Sequence, residues 1–204
     1  MSIDMYVQAA TSQGENVATV CQREIAHYQM LINNMETFVS ETQLRSKTYF
    51  NAKQFYGQVL IPLAKAGILL SEAVNAACQK FPNQYLATVD TSNLSSTKLE
   101  SQIQQLEQNI MYLQDIQATL ETTDMDDVLK DVSLSVNNKL MDNLMTSKRI
   151  LEEKLYLLLD FHQRSPQFFR KSRNWRTLLT MEYNKQKPLG VQQVAVLTFH
   201  LQVI

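Results

Sequence analysis

The stretch Leu99-Glu100-Ser101-Gln102-Ile103-Gln104-Gln105-Leu106-Glu107-Gln108-Asn109-Ile110-Met111-Tyr112-Leu113 decides the fold class. Its apolar residues Leu99, Ile103, Leu106, Ile110 and Leu113 alternate four and three apart, which draws one narrow seam along a helix, and Leu120 continues it. Thr97 with Glu100 fits a capping box at the helix start, each side chain satisfying an otherwise orphaned amide. The same periodicity recurs on both sides. Upstream, Val17, Cys21, Ile25, Tyr28, Ile32, Met35 and Val39 predict an amphipathic helix over residues 15–42, about 40 Å long at 1.5 Å per residue. Ala52, Tyr56, Val59, Leu63, Ala66, Leu70, Val74 and Ala77 predict a second, kinked or divided near Leu60 by Pro62 and ended by Phe81-Pro82-Asn83.

Val89 to Ser96, rich in Ser, Thr, Asn and Asp, reads as the longest internal loop. Downstream of the seam, Asp124, Asp126 and Asp127 match the positive end of a fourth helix, carried by Val132, Val136, Leu140, Leu144, Ile150, Leu151, Leu155, Leu158 and Phe161. Ser165-Pro166 reads as N-cap and first residue of a fifth. The expected fold is all-α: an elongated antiparallel bundle of long amphipathic helices with no sheet.

Composition narrows the chemistry. The 204 residues, with 19 basic and 20 acidic groups and 45% apolar content, suffice to bury a core, and only 4 Gly and 4 Pro leave few turns. No glycine-rich phosphate loop or nucleophile elbow is present. Residues 1–13 lack a basic and an apolar region, and no window approaches 18 uninterrupted apolar residues, so neither a cleavable signal nor a stable membrane span is expected. Cys21 and Cys78 lie within helical patterns and read as reduced core residues. His27, His162 and His200 have no ligand spacing, and the acidic run Asp124 to Asp131 lacks the Gly and terminal Glu of a calcium loop. No catalytic residue, metal or cofactor is expected, and the chain reads as non-enzymatic.

Tyr156-Leu157-Leu158-Leu159-Asp160 places a ring and a carboxylate one helical turn apart. The pattern is similar to the Tyr-x-x-x-Asp that type VII secretion substrates display after a helical hairpin; the plain reading puts the ring on the seam and the carboxylate in water. A wider resemblance rests on order and spacing. Ser2-Ile3-Asp4-Met5-Tyr6 precedes a long helix, followed by Gln43-Leu44-Arg45-Ser46-Lys47-Thr48-Tyr49, Val59-Leu60-Ile61-Pro62-Leu63 and Phe81-Pro82 with Tyr85. Val89-Asp90, Leu94, Leu99-Glu100, Lys154-Leu155, Phe161-His162 and Ser165-Pro166-Gln167 complete it. Over residues 1–169 this resembles an LXG domain, the N-terminal half of polymorphic toxins exported by the type VII system of Gram-positive bacteria. The naming Leu-x-Gly stands here as Leu44-Arg45-Ser46. Glycine permits positive φ or close backbone approach, so Ser46 implies either an ordinary helical position or an impaired copy.

The resemblance implies a targeting module, cytoplasmic before export and then secreted, that performs no toxic chemistry. It implies binding to small helical partner proteins and the secretion machinery through apolar seams. Leu99, Ile103, Leu106, Ile110 and Leu113 are the seam candidates, and Tyr156 with Asp160 the candidate export signal. Self-association through the same seams is an open expectation. The alternative is a generic helical adaptor that assembles through coiled-coil seams without secretion.

Charge divides the chain at residue 169. Residues 170–204 hold six of the 19 basic groups and one of the 20 acidic groups, leaving 13 against 19 before them. A basic arm for nucleic acid is one reading; a displaced reading frame is the one preferred, so no nucleic-acid partner is expected. Ser172, Trp175, Leu179 and Tyr183 can all have codons beginning with T, and a frame shifted by one nucleotide turns those bases into middle bases, which encode apolar residues at helical spacing. The expectation is a targeting domain over 1–169, an atypical, poorly ordered tail over 170–204, and no translated toxin domain.

Overall fold

The first helix owes its start to a side chain far along the sequence. In the computed structural model, which describes residues 2–186, Asn93 Oδ1 accepts from the Val7 amide at 2.9 Å. Helix α1 (Val7–Ser40) therefore begins well before the apolar stripe that announces it. Next come α2 (Lys47–Phe55), a π-helical turn (Tyr56–Leu60), α3 (Ile61–Thr88), α4 (Ser96–Thr122), α5 (Asp127–Arg164), a 3₁₀ turn (Ser165–Gln167) and α6 (Arg170–Gln186). The fold is an all-α helical bundle. The described residues form two compact units, one of residues 2–8 with Gln84–Arg164, the other of Ala9–Asn83 with residues 165–186.

In the first unit α4 and α5 form an antiparallel hairpin. Asn137 Nδ2 donates to the Leu113 carbonyl at 2.9 Å, and Lys148 pairs with Glu107 at 2.8 Å farther along. Asp126 Oδ1 accepts from the Val128 and Leu129 amides at 3.1 and 3.3 Å and so caps α5, as the acidic cluster suggests. Two expectations are corrected here. A short antiparallel strand pair does form, β1 (Asp4–Met5) with β2 (Leu94–Ser95), in the register Asp4 to Ser95 and Met5 to Leu94. The Thr97/Glu100 capping box gives way to it, because the Ser96 amide donates to the Ile3 carbonyl at 2.9 Å and Ser96 Oγ accepts from the Ile3 amide at 3.0 Å.

In the second unit α1 runs antiparallel to α3. Ile32, Met35, Ile61 and Ala64 make a buried cluster, with Tyr28, Tyr56 and Ile68 packed on it. Pro62 does not divide the helix. The Ile61 amide reaches back to the Tyr56 carbonyl, a π-type bond that widens the turn just before the residue without an amide. Nor does Pro82 end α3, which continues to Thr88. Proline leaves the Cys78 carbonyl without its usual helical donor, and α1 closes on that carbonyl through Gly14, where a Cβ would lie 3.0 Å from the Cys78 oxygen. Gln79 Nε2 bonds the Gly14 carbonyl alongside, at 3.1 Å.

The segment Lys47–Thr88 is long and apolar enough to cross a membrane by length and composition, with 33% of its most apolar window buried in the fold. Ser165-Pro166, expected to open a helix, forms the 3₁₀ turn instead, and α6 starts at Arg170. Along α6, Ser172 and Leu179 are buried, and Trp175 and Tyr183 half-buried. Residues 187–204 of the expected tail, His200 among them, lie outside the described residues.

Candidate partner-binding surface

Leu44-Arg45-Ser46 lies in the junction between α1 and α2. Leu44 is half-buried and Arg45 Nε donates to the Thr42 carbonyl at 3.1 Å. Ser46 is the N-cap of α2, with φ −69° and ψ 158°, and its hydroxyl accepts from the Tyr49 amide at 3.3 Å. This is extended backbone at negative φ, with no need for glycine, and serine ranks above glycine as an N-cap. The expectation of an ordinary helical position is therefore corrected: Ser46 stands outside the helix, as its N-cap.

The seam candidates are occupied by the fold itself. Leu99, Ile103 and Ile110 are buried, and Leu106 and Leu113 half-buried, on the side of α4 that packs against α5. Exposed large apolar side chains stand elsewhere: Met30 and Leu31 on α1, Tyr49 and Phe50 on α2, and Val128, Leu129, Val132, Val136 and Leu140 on α5. The last three were expected in the core. Their place is taken by a stripe of Leu134, Asn137, Met141, Leu144, Lys148, Leu151, Leu155 and Leu158, each buried or half-buried.

Tyr156 and Asp160 share the later part of α5. The Tyr156 ring is 68% exposed, whereas the Asp160 carboxylate is partly buried and paired with Arg164. The plain expectation is thus reversed, with the ring in water and the carboxylate held. Close by in the first unit, Tyr85 is fully buried, edge-on to Phe161 at 5.4 Å, and its hydroxyl donates to the Ser92 carbonyl at 3.0 Å. Burial, with Asp90 nearby, pushes its pKa to about 12. Asp90 binds Lys154 at 2.6 Å and accepts from the Ser92 amide and hydroxyl, both at 2.8 Å. The Lys154 bond is the main reason its pKa falls to about 2. Tyr85 and Asp90 together pin the α3–β2 connection to α5. Sequence reasoning quoted these residues without seeing that they act together.

The second unit holds a cavity of about 610 Å³. Val17, Leu70, Val74 and Phe81 give it an apolar wall, and α6 contributes Arg173 and Arg176. Cys78 also lines it, and Cys21 is buried; both thiols are free, and burial pushes the pKa of each up. No group of three or more His, Cys, Asp or Glu among the described residues is placed to hold a metal.

The chain is 27% identical over 182 residues to a protein of Bacillus cereus described as a toxin, a match covering 89% of this chain and 30% of that protein. The chain thus corresponds to less than a third of its relative's length. No family profile matches the chain, and no solved structure matches it.

Proposed function

We propose that this chain is the non-enzymatic targeting and partner-binding module of an LXG toxin exported by a type VII system. One observation carries the reading: nearly the whole chain is related to a minor portion of a far longer toxin, 89% against 30%. A segment shared in that way is a module of the toxin rather than the whole of it. The exposed apolar pairs Met30 with Leu31 on α1 and Tyr49 with Phe50 on α2 are available to small helical partner proteins. The exposed Tyr156, one turn from the held Asp160, supports a readable export signal.

The residues from 170 onward carry a second part of the proposal, that they are translated in a displaced frame. Arg170, Lys171 and Arg173 crowd the first turn of α6 with no acid among them, opposing the helix dipole. Such local conflict is what an unselected sequence brings to a fold. Sequencing the DNA across codons 165 to 204 tests this directly.

Export is tested by producing the chain with cognate small helical proteins in a Gram-positive host, with and without the type VII apparatus. The chain should reach the culture medium only with the apparatus, and Tyr156→Ala with Asp160→Ala should retain it in the cells. Retention under every condition, or release without the apparatus, overturns the reading in favour of a generic adaptor.

A further inference from the structure

The first half of α5 carries two apolar faces where its hairpin with α4 needs one. Asn137 and Met141 are buried on the first. Val128, Leu129, Val132, Val136 and Leu140 form the second, centred roughly 130° round the helix, with exposures of 70%, 60%, 57%, 53% and 49%. This second face runs about 18 Å along the helix, and a patch of that size on a single chain marks an interface.

Its pattern is complementary to itself. Val128, Val132, Val136 and Leu140 are evenly spaced, so two copies laid antiparallel about a twofold axis level with Leu134 set Val128 against Leu140 and Val132 against Val136. The same arrangement brings Asp131 of each copy close to Lys139 of the other. Both side chains are exposed, and neither takes part in an ion pair among the described residues. A parallel pairing is disfavoured by charge: it brings Lys139 of one copy toward Lys139 of the other and gathers Asp124, Asp126 and Asp127 of both copies at one end. The antiparallel pairing sends the two acidic clusters to opposite ends.

We infer that the Val128–Leu140 face of α5 is a homodimer interface, in which two copies of this chain pair antiparallel with Asp131 and Lys139 bridging reciprocally. Two such faces come to about 1,000 Å², the size of weak, transient pairs, so the dimer dissociates on dilution. The inference does not depend on export: an exported monomer would overturn it alone, and a dimer that is never exported would overturn only the functional proposal.

Sedimentation equilibrium on the full chain tests it, with circular dichroism confirming that each variant is folded. Val132→Asp with Val136→Asp should abolish the dimer. Asp131→Lys should weaken it about tenfold, and adding Lys139→Asp should restore it to within about threefold, a rescue that mere damage to the fold cannot give. A short bis-maleimide should link a Val132→Cys chain to a Val136→Cys chain faster than it links either to itself, with the unaltered chain as blank for Cys78. A monomer at 200 µM, a dimer indifferent to these charges, or a face taken by a different helical protein while the chain alone stays monomeric would each overturn the inference.

Discussion

Gly14 of α1 lies against the carbonyl of Cys78, the oxygen that Pro82 deprives of its helical donor; a Cβ at Gly14 would sit 3.0 Å from it. An alanine in place of a helical glycine ordinarily stabilises by about 1 kcal/mol. Here the contact is with backbone and cannot swing aside, so the sign inverts. Gly14→Ala should lose about 1–2 kcal/mol. Gly67→Ala should also destabilise, because its Cβ would press on the Tyr28 ring at 2.7 Å. Gly57→Ala, with nothing within 4 Å, should stabilise the chain or leave it unchanged. Urea denaturation of the three variants measures all of this, and equal effects at the three positions would refute the close approach of α1 to α3.

Asp90 gives a pH signature. Its pKa is about 2 in the folded chain and about 3.9 when unfolded, so the folded state holds the ionised form more tightly. The stabilisation is therefore fully present above pH about 4 and is lost as pH falls toward 2. Asp90→Asn should cost about 1–2 kcal/mol at pH 7. The gap to the parent chain should narrow steadily below pH about 4 and be less than half its neutral value by about pH 2.5, whereas a gap that does not change with pH would mean that the residue acts through packing.

How far these relationships were legible in the sequence differs along the chain. The seam of α4 was plain, because Leu99, Ile103, Leu106, Ile110 and Leu113 are unbroken by polar residues. The matching seam of α5 alternates three and four just as regularly, but Asn137 and Lys148 interrupt it, and the eye passes to Val132, Val136 and Leu140. Those step by four alone, which drifts about 40° per step across the helix surface and should itself have warned against a seam. Asn137 is admitted to the interior because Leu113 offers a carbonyl, and Lys148 because Glu107 and Glu152 flank it at 2.8 and 3.5 Å. Such compensation comes from another helix or another turn and is invisible in a single stripe. Pro82 misled for a similar reason: Tyr85 and Asp90 hold the chain in place beyond it, and that support is tertiary.

Ser46 tests whether the altered motif is a defect. As an N-cap its hydroxyl serves the Tyr49 amide, so Ser46→Ala should cost about 0.5–2 kcal/mol, while Ser46→Gly, which restores the Leu-x-Gly pattern, should cost only a few tenths. Thermal melts rank the three chains. If glycine proves more stable than serine, the junction prefers a backbone conformation other than the extended one, and the motif is impaired after all.

The last prediction concerns α6, which packs two buried residues under a poorly placed set of charges. Leu179 is buried, so Leu179→Ala should cost about 2 kcal/mol if the helix is an integrated element, at the low end for a core leucine. Arg170 and Lys171 are exposed at the positive end of the helix dipole. Arg170→Glu and Lys171→Glu should therefore each stabilise by about 0.3–1 kcal/mol, whereas Arg173, which donates to the Pro166 carbonyl at 2.7 Å, should be left in place. Finding improvement so easily at adjacent positions is expected of a segment that was never selected in this frame. A stop codon after Phe169 completes the comparison. If it lowers stability no more than Leu179→Ala does, and partner binding survives, α6 is a late addition to a module that functions without it. If it unfolds the chain, α6 belongs to the bundle and the displaced-frame account fails.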